Sequence, residues 1–315
     1  MIKKVVLVKP RGFCAGVTRA VEVVKDCLKL FGKPVYVKHE IVHNKKVVEE
    51  LEEKGAITIE NLEEVPENSV VVFSAHGSPP EHYETAKKRN LKLIDATCPL
   101  VTKVHLEVKK FAKEGYKIIY ICHKDHIEAK GVLGELKEGI FAVENPEDVE
   151  KLEIGKPEKL IYLTQTTVSV DETKETIKAI KKKFPFVTDP PIEDICYATT
   201  NRQGAIKELA EKVDLVLVVG SSTSSNSKRL VETAKTKNKP AFLVDGAEDL
   251  KEKWFDGISS VGISAGASSP ERIVNEVVEY FVSKGAKKEE FCVLDEKMKF
   301  VEPYDLTKIK KEKGN

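Results

Sequence analysis

The sequence predicts three similar α/β lobes with mainly parallel sheets, set in a pseudo-threefold (trefoil) arrangement around a common centre. Three observations predict it. A cysteine followed four residues later by a threonine occurs three times, at Cys14 (C-A-G-V-T-R), Cys98 (C-P-L-V-T-K) and Cys196 (C-Y-A-T-T-N). These cysteines stand 84 and 98 residues apart, a domain-sized period well above that of a solenoid. Between them, short apolar runs alternate with polar loops and amphipathic helical stretches, which is the pattern of α/β units built on parallel sheets.

Each element follows in order. The run V-V-L-V (5–8) reads as a strand, and it fits either the first or the third sheet. The Cys14 helix carries V-E-V-V-K-D-C-L-K, and strand P-V-Y-V-K leads into the polar loop 39–45 and a helix over 46–54. Strand V-V-V-F (70–73) then opens the loop S-A-H-G-S-P-P-E (74–81) and a further helix, and L-K-L-I (91–94) precedes Cys98. The order then repeats. After the Cys98 helix, K-I-I-Y-I-C leads into loop 123–128, a helix or turn, an acidic connector (V-E-N-P-E-D-V-E-K-L), strand L-I-Y-L (160–163), loop T-Q-T-T-V-S-V-D (164–171) and a helix. After Cys196, L-V-L-V-V (215–219) leads into G-S-S-T-S-S-N-S and helix 228–237. Strand S-V-G-I (260–263) then leads into S-A-G-A-S-S-P-E and helix 270–283. The expected boundaries are 1–94, 95–192 and 193–285, with a charged tail over 286–315. Ligands of such sheets gather at the carboxyl ends of the strands, where all six polar loops lie.

The chain has 315 residues, 41% hydrophobic and 33% charged, enough for two or three cores. Its formal net charge of +1 supplies no strong field for nucleic acid or a membrane surface. The apolar runs are far too short to span a bilayer, and the first is broken by Lys9, too early for a secretory signal. The expectation is a cytoplasmic protein with no nucleic-acid or membrane partner. Six cysteines without a C-x-x-C pair, in a chain of this length, do not suggest a disulfide framework. Cys27, Cys122 and Cys292 read as small buried hydrophobes.

The three repeat cysteines read differently. Three thiolates at one point repel and need a cation, and each sits at a helix N-terminus, which favours the thiolate. An iron–sulfur cluster is the natural occupant. Three ligands on a cubane leave one iron open, much as catalytic zinc keeps an open position. A zinc site with three cysteines and one histidine is the chemical alternative, although structural zinc normally uses locally paired ligands. The loops carry His43, His76, His126, Thr166, Thr167, Ser224, Ser225, Asn226 and Ser268. Such donors at helix N-termini suit a phosphate or diphosphate, while helix N-capping is the ordinary role of a single loop serine. Glu128 is the one loop carboxylate with these polar neighbours. It reads either as an exposed helix-start residue or, near a diphosphate, as a general acid with a raised pKa. His39, His82, His105 and His123 have no counterpart in the other units and read as structural or solvated.

Eight strings, in order, carry a family resemblance: K-P-R-G-F-C-A-G-V-T-R-A (9–20), K-H-E-I-V-H-N (38–44), F-S-A-H-G (73–77), D-A-T-C-P-L-V-T-K-V-H (95–105), T-Q-T-T-V-S-V-D (164–171), D-I-C-Y-A-T-T-N-R-Q (194–203), S-S-N-S (224–227) and S-A-G-A-S-S-P (264–270). Together they closely resemble the 4-hydroxy-3-methylbut-2-enyl diphosphate reductase family, from residue 5 to about 283. The resemblance implies a three-lobed protein around a [4Fe–4S] cluster with three cysteine ligands and one open iron, where the substrate hydroxyl is expected. It implies two-electron reduction of the hydroxymethylbutenyl diphosphate, loss of water, and release of isopentenyl and dimethylallyl diphosphates. Cys14, Cys98 and Cys196 match the cluster cysteines. His43, His76, His126, Ser224, Ser225, Asn226 and Ser268 match the diphosphate-binding positions. Thr166 matches the threonine near the substrate hydroxyl, and Glu128 matches the proton donor. Ferredoxin or flavodoxin is the expected electron donor. Many relatives read H-P-E-V-x-G where this chain reads H-I-E-A-K-G, so His126, Glu128 and Gly131 remain but the proline that stiffens the turn does not. Two rivals belong to other classes. A quinolinate synthase-like three-lobed iron–sulfur enzyme would need loop arginines for a dicarboxylate, and these loops are nearly arginine-free. A non-catalytic iron–sulfur sensor would have no use for Glu128.

Overall fold

A computed structural model describes residues 2–155 and 157–312. The chain opens with β1 (Lys4–Lys9), α1 (Ala15–Phe31), β2 (Val35–Lys38), α2 (Lys45–Glu53), β3 (Ala56–Ile59), β4 (Val70–Phe73), α3 (Pro80–Lys88) and β5 (Lys92–Asp95). Then come α4 (Pro99–Lys113), β6 (Lys117–Ile121), α5 (Ile127–Leu133), β7 (Ile140–Val143), α6 (Pro146–Lys151), β8 (Leu160–Thr164) and α7 (Val170–Lys183). Last are α8 (Tyr197–Lys212), β9 (Leu215–Val219), α9 (Ser225–Lys235), β10 (Ala241–Val244), β11 (Ser260–Ala265), α10 (Glu271–Val282), β12 (Lys287–Cys292) and α11 (Tyr304–Glu312). Local chemistry sets the helix starts. Proline stands first in α3, α4 and α6, where its missing N–H costs no hydrogen bond. Asn145 and Ser169 cap α6 and α7 by accepting from Asp148 and Glu172 N–H.

There are three sheets, ordered β3-β2-β4-β5, β7-β6-β8 and β10-β9-β11-β1-β12, and every named strand pair is parallel. One plan underlies all three. The strand after each cysteine helix lies second, an edge strand lies first, and the strand leading into loop 74–81, 164–171 or 264–271 lies third. The fourth place is the approach to the next cysteine. It is held by β5 before Cys98, by β1 before Cys14, and by a single parallel bridge, Ile161 to Thr188, before Cys196. Strand β1 therefore belongs to the third sheet.

The chain packs as two compact units. One takes in the residues up to Val17, His43–Val47 and Tyr197–Lys299; the other takes in Thr18–Val42, Val48–Cys196 and the residues from Phe300. In the first unit, alternation along the strands sends Val5, Leu7, Leu215, Leu217, Val261 and Ile263 onto Ile273, Val277 and Phe281 of α10. It sends Val6, Val8, Val216 and Val218 to the other face, onto Ile206 and Leu209 of α8 and Leu230 of α9. In the second unit, Ile118, Tyr120, Ile161 and Leu163 pack on Val104, Val108 and Phe111 of α4, while Ile119, Ile121, Leu160 and Tyr162 pack on Ile180 and Phe184. Burial on both faces explains why these strands are almost wholly apolar.

Three expectations are revised. The segment 286–312 is not only a charged tail: K-K-E-E-F-C forms edge strand β12 beside β1, and Tyr304–Glu312 is helical. The last residues of that tail, 313–315, lie outside the described residues. The acidic connector starts at the end of β7 and forms α6. Cys292 is exposed at the edge of its sheet and is not a buried hydrophobe. No helix among the described residues is long and apolar enough to cross a membrane.

Candidate active site

The three repeat cysteines are half-buried, none forms a disulfide, and each directly precedes a helix, α1, α4 or α8. One backbone contact recurs at all three. Cys98 N–H donates to Ala75 O at 3.0 Å, Cys196 N–H to Thr166 O at 3.0 Å, and Cys14 N–H to Ala267 O at 3.1 Å. Each acceptor lies two residues past the end of the third-place strand, β4, β8 or β11. The fourth-place segment thus locks each cysteine beside a polar loop. Side chains reinforce the lock. Asp95 accepts from Thr97 N–H and Oγ1–H, and Asp194 accepts from Thr164 N–H and from Lys103 Nζ at 2.6 Å. In the other unit, the fully buried Arg202 donates to Gly12 O at 2.7 Å and pairs with Glu296. Gly12 has φ +68°, in the left-handed region where glycine carries no Cβ penalty.

The unit holding Cys98 and Cys196 brings His76, His126, Glu128 and Thr166 together. The rings of His76 and His126 meet edge to face at 6.2 Å. His126 caps α5, its Nδ1 accepting from Glu128 N–H at 3.1 Å, so the histidine itself fixes the turn. Glu128 begins a helix, yet it is 2% exposed. Its Oε1 accepts from Thr166 N–H at 2.8 Å and its Oε2 from Thr166 Oγ1–H at 3.0 Å. Burial pushes its carboxyl up, and the hydrogen bonds from Thr166 only partly offset this, so the net shift is upward. Thr166 thus fixes both Glu128, through its N–H and hydroxyl, and Cys196, through its carbonyl.

The other unit brings Cys14, Ser268 and His43 together, with Ser268 Oγ donating to His43 O at 2.8 Å. Ser224, Ser225 and Asn226 form the head of α9. Ser224 does cap the helix, accepting from Ser227 N–H at 3.2 Å, and as an acceptor there it keeps its own O–H to donate. Gly220 and Gly266 let the chain close on that head, since a Cβ on either would fall on the Ser227 hydroxyl. Asn226 is 4% exposed, and neither polar atom of its amide has a hydrogen-bond partner among the described residues. A buried, unsatisfied amide costs about 1–3 kcal/mol, the expected signature of a group kept for a ligand. Asn226→Ala is therefore expected to leave the melting temperature unchanged or slightly higher. The same variant should bind inorganic diphosphate about 10-fold or more weakly, read by calorimetry beside thermal unfolding.

Cys27 and Cys122 are buried as expected, and burial pushes both thiols up to about 12. Of the histidines without counterparts, His82 is pushed down to about 4, chiefly by burial. His105 is buried and pairs with Glu135, a partner 30 residues away that no local pattern announces. Among the described residues, no three His, Cys, Asp or Glu side chains stand close enough to hold one metal ion.

Helix-heading cysteines beside hydroxyl-, amide- and histidine-bearing loops, at the carboxyl ends of parallel strands, define an α/β enzyme for an anionic substrate. The chain belongs to the LytB protein family, whose profile matches residues 5–282, and that family carries an iron–sulfur cluster. It is 52% identical over 285 residues to the 4-hydroxy-3-methylbut-2-enyl diphosphate reductase of Methylibium petroleiphilum, covering 90% of this chain and 87% of that one. It is 50% identical over 314 residues to the reductase of the same name from Streptomyces coelicolor, covering 99% and 93%. The solved E-1-hydroxy-2-methyl-but-2-enyl-4-diphosphate reductase of Plasmodium falciparum superposes with a TM-score of 0.97 at 42% identity, covering all of both chains. A second solved reductase, described as the terminal enzyme of the non-mevalonate pathway, gives 0.65 at 35% identity, covering 90% of this chain and 100% of that one.

Proposed function

We propose that the chain reductively dehydroxylates (E)-4-hydroxy-3-methylbut-2-enyl diphosphate to isopentenyl and dimethylallyl diphosphates, the last step of the non-mevalonate isoprenoid pathway. It is an oxidoreductase. Two electrons and two protons enter, the allylic C–O bond breaks, a C–H bond forms, and the hydroxyl leaves as water. Family membership supports this reading, and the observation that carries it is the buried Glu128 carboxyl held by Thr166. Hydroxide is a poor leaving group, and a positioned acid that protonates it as the bond breaks typically contributes about 10²–10⁴-fold. When Glu128 is protonated, its O–H can turn towards Thr166 Oγ1, whose own hydrogen is then free to reach the substrate hydroxyl. Glu128 and Thr166 are thus the catalytic pair.

Cys14, Cys98 and Cys196 would hold a [4Fe–4S] cluster, one thiolate each. Three soft donors, each fixed by the same backbone contact, fit that group, and one of its four irons is left without a protein ligand. When bound, the cluster supplies the electrons and a Lewis-acidic iron. His43, His76, His126, Ser224, Ser225, Asn226 and Ser268 would hold the diphosphate, through imidazole, hydroxyl and amide donors at strand ends and at the heads of α5 and α9. A small low-potential carrier, ferredoxin or flavodoxin, is the proposed electron donor, and the cytoplasm the proposed compartment.

The test is anaerobic purification, iron and sulfide analysis, and turnover of the substrate with a chemically reduced viologen dye. About four irons and four sulfides per chain are expected for a cubane, with both five-carbon diphosphates as products. Protein that carries the cluster and binds the substrate, yet forms neither product, would overturn the reading.

A further inference from the structure

His105 lies on α4, 7% exposed. Its Nδ1 donates to Glu135 Oε1 at 2.6 Å, a tautomer assigned from the carboxylate acceptor. The Glu135 side chain is 3% exposed, and Lys109 Nζ lies 3.0 Å from its Oε2. Burial pushes that carboxyl up, but hydrogen bonds from His105 and Lys109 outweigh it, and the net shift is downward. A charged carboxylate therefore holds one edge of the imidazole. The opposite edge meets Gly77, where a Cβ would stand 2.7 Å from His105 Nε2. That nitrogen is buried without a hydrogen-bond partner among the described residues. Gly131 closes the same contact, since a Cβ there would lie 3.4 Å from Gly77 O and 3.5 Å from His105 Cε1.

These neighbours place the ring in a seam. Gly77 directly follows His76, and Gly131 lies one helical turn past Glu128. The loops that carry His76 and His126 thus approach each other through two glycines, which have no side chains to fix the spacing. The imidazole fills the space between them, and Glu135 stops it from turning. We propose that His105 is a positioning residue, a pin that sets the spacing between the His76 loop and the head of α5 with His126 and Glu128. This rests on the reading that those loops hold the diphosphate and that Glu128 delivers the proton. A bland role, a buried His–Glu pair that only stabilises the fold, makes a different prediction.

Two variants separate the roles. His105→Asn keeps an amide N–H where Nδ1 donates to Glu135 and removes the ring edge against Gly77. His105→Gln reaches towards the Nε2 position and gives up the bond to Glu135. Each cluster-loaded protein is measured by calorimetry with inorganic diphosphate, by thermal unfolding and by steady-state rate. His105→Asn is expected to melt near the parent, to bind diphosphate about 10-fold more weakly and to turn over about 10-fold more slowly, since small misplacements of binding groups cost rate steeply. His105→Gln is expected to melt lower yet keep its affinity within about 2-fold, because the seam stays filled. Affinity and rate that follow melting temperature across the pair, or a His105→Asn protein that binds like the parent, would overturn the inference. If His105→Gln does not fold, His105→Asn alone decides. A parent that fails to bind inorganic diphosphate would remove the diphosphate site itself, and this inference with it.

Discussion

Glu128→Gln is expected to fold, to keep its iron and to bind substrate, and to turn over at least about 100-fold more slowly. Glutamine keeps the shape of the side chain. Its amide oxygen can still accept from Thr166 N–H or Oγ1–H, so the packing of α5 against the 164–171 loop survives. It has no acidic proton to give. Substrate-induced spectral change and steady-state rate, measured in one preparation, separate binding from chemistry. Thr166→Val should lose less rate, because it removes the group that orients or passes the proton and leaves the acid in place. A near-normal rate in Glu128→Gln would leave Glu128 a structural residue.

The pH dependence has a definite sign. Burial raises the folded-state pKa of Glu128 above its ordinary value of 4.5. A group required as an acid is active below its pKa, so the rate should fall as pH rises through that raised value. Stability follows the same direction. The contribution of this carboxyl is fully present below the ordinary value and is lost as pH rises through the raised one, because the charged form has no solvent at that site. Glu128→Gln should lose this weakening with rising pH, which unfolding curves across pH would show.

The sequence made some features legible and hid others, for physical reasons. The strands V-V-V-F and L-V-L-V-V are buried on both faces, so composition alone marks them. The edge strands β3, β7 and β10 were not read because each is paired on one side only and partly exposed, so a short mixed run there does not stand out by composition. β12 reads as charged because it is an edge strand with solvent on one side, and edge strands commonly carry charge. That β1 joins β11 is a matter of topology, which no local pattern carries. The repeat frame pointed to Cys14, Cys98 and Cys196. The equivalent backbone contacts from all three cysteines became visible only with the strand ends in place. His105 reads as structural from sequence, and its burial against Glu135 agrees; its contacts with Glu135, Gly77 and Gly131 were not legible because those residues come from other segments.

Cys98→Ser is expected to lose most of its iron and all measurable turnover. Serine replaces a soft, readily ionised thiol with a hard hydroxyl that stays protonated at neutral pH, and iron–sulfur clusters are held by thiolates. The fold should survive. Cys98 is tied to Ala75 through its main-chain N–H, and the start of α4 rests on Pro99 and on Thr102 N–H donating to Cys98 O at 2.9 Å, none of which uses the sulfur. Loss of iron with intact secondary structure and a cooperative melt is therefore the predicted combination, and Cys14→Ser and Cys196→Ser should repeat it. Cys27 and Cys122 serve as controls. Burial holds both as neutral thiols, so serine there should keep the iron but cost about 1–3 kcal/mol, for a hydroxyl buried among apolar groups. Cys292→Ser, at an exposed edge, should change neither quantity. Iron and sulfide per chain, read beside rate and melting temperature, sort all six. Full iron and a normal rate in Cys98→Ser would remove this cysteine from the cluster and break the threefold reading of the chain.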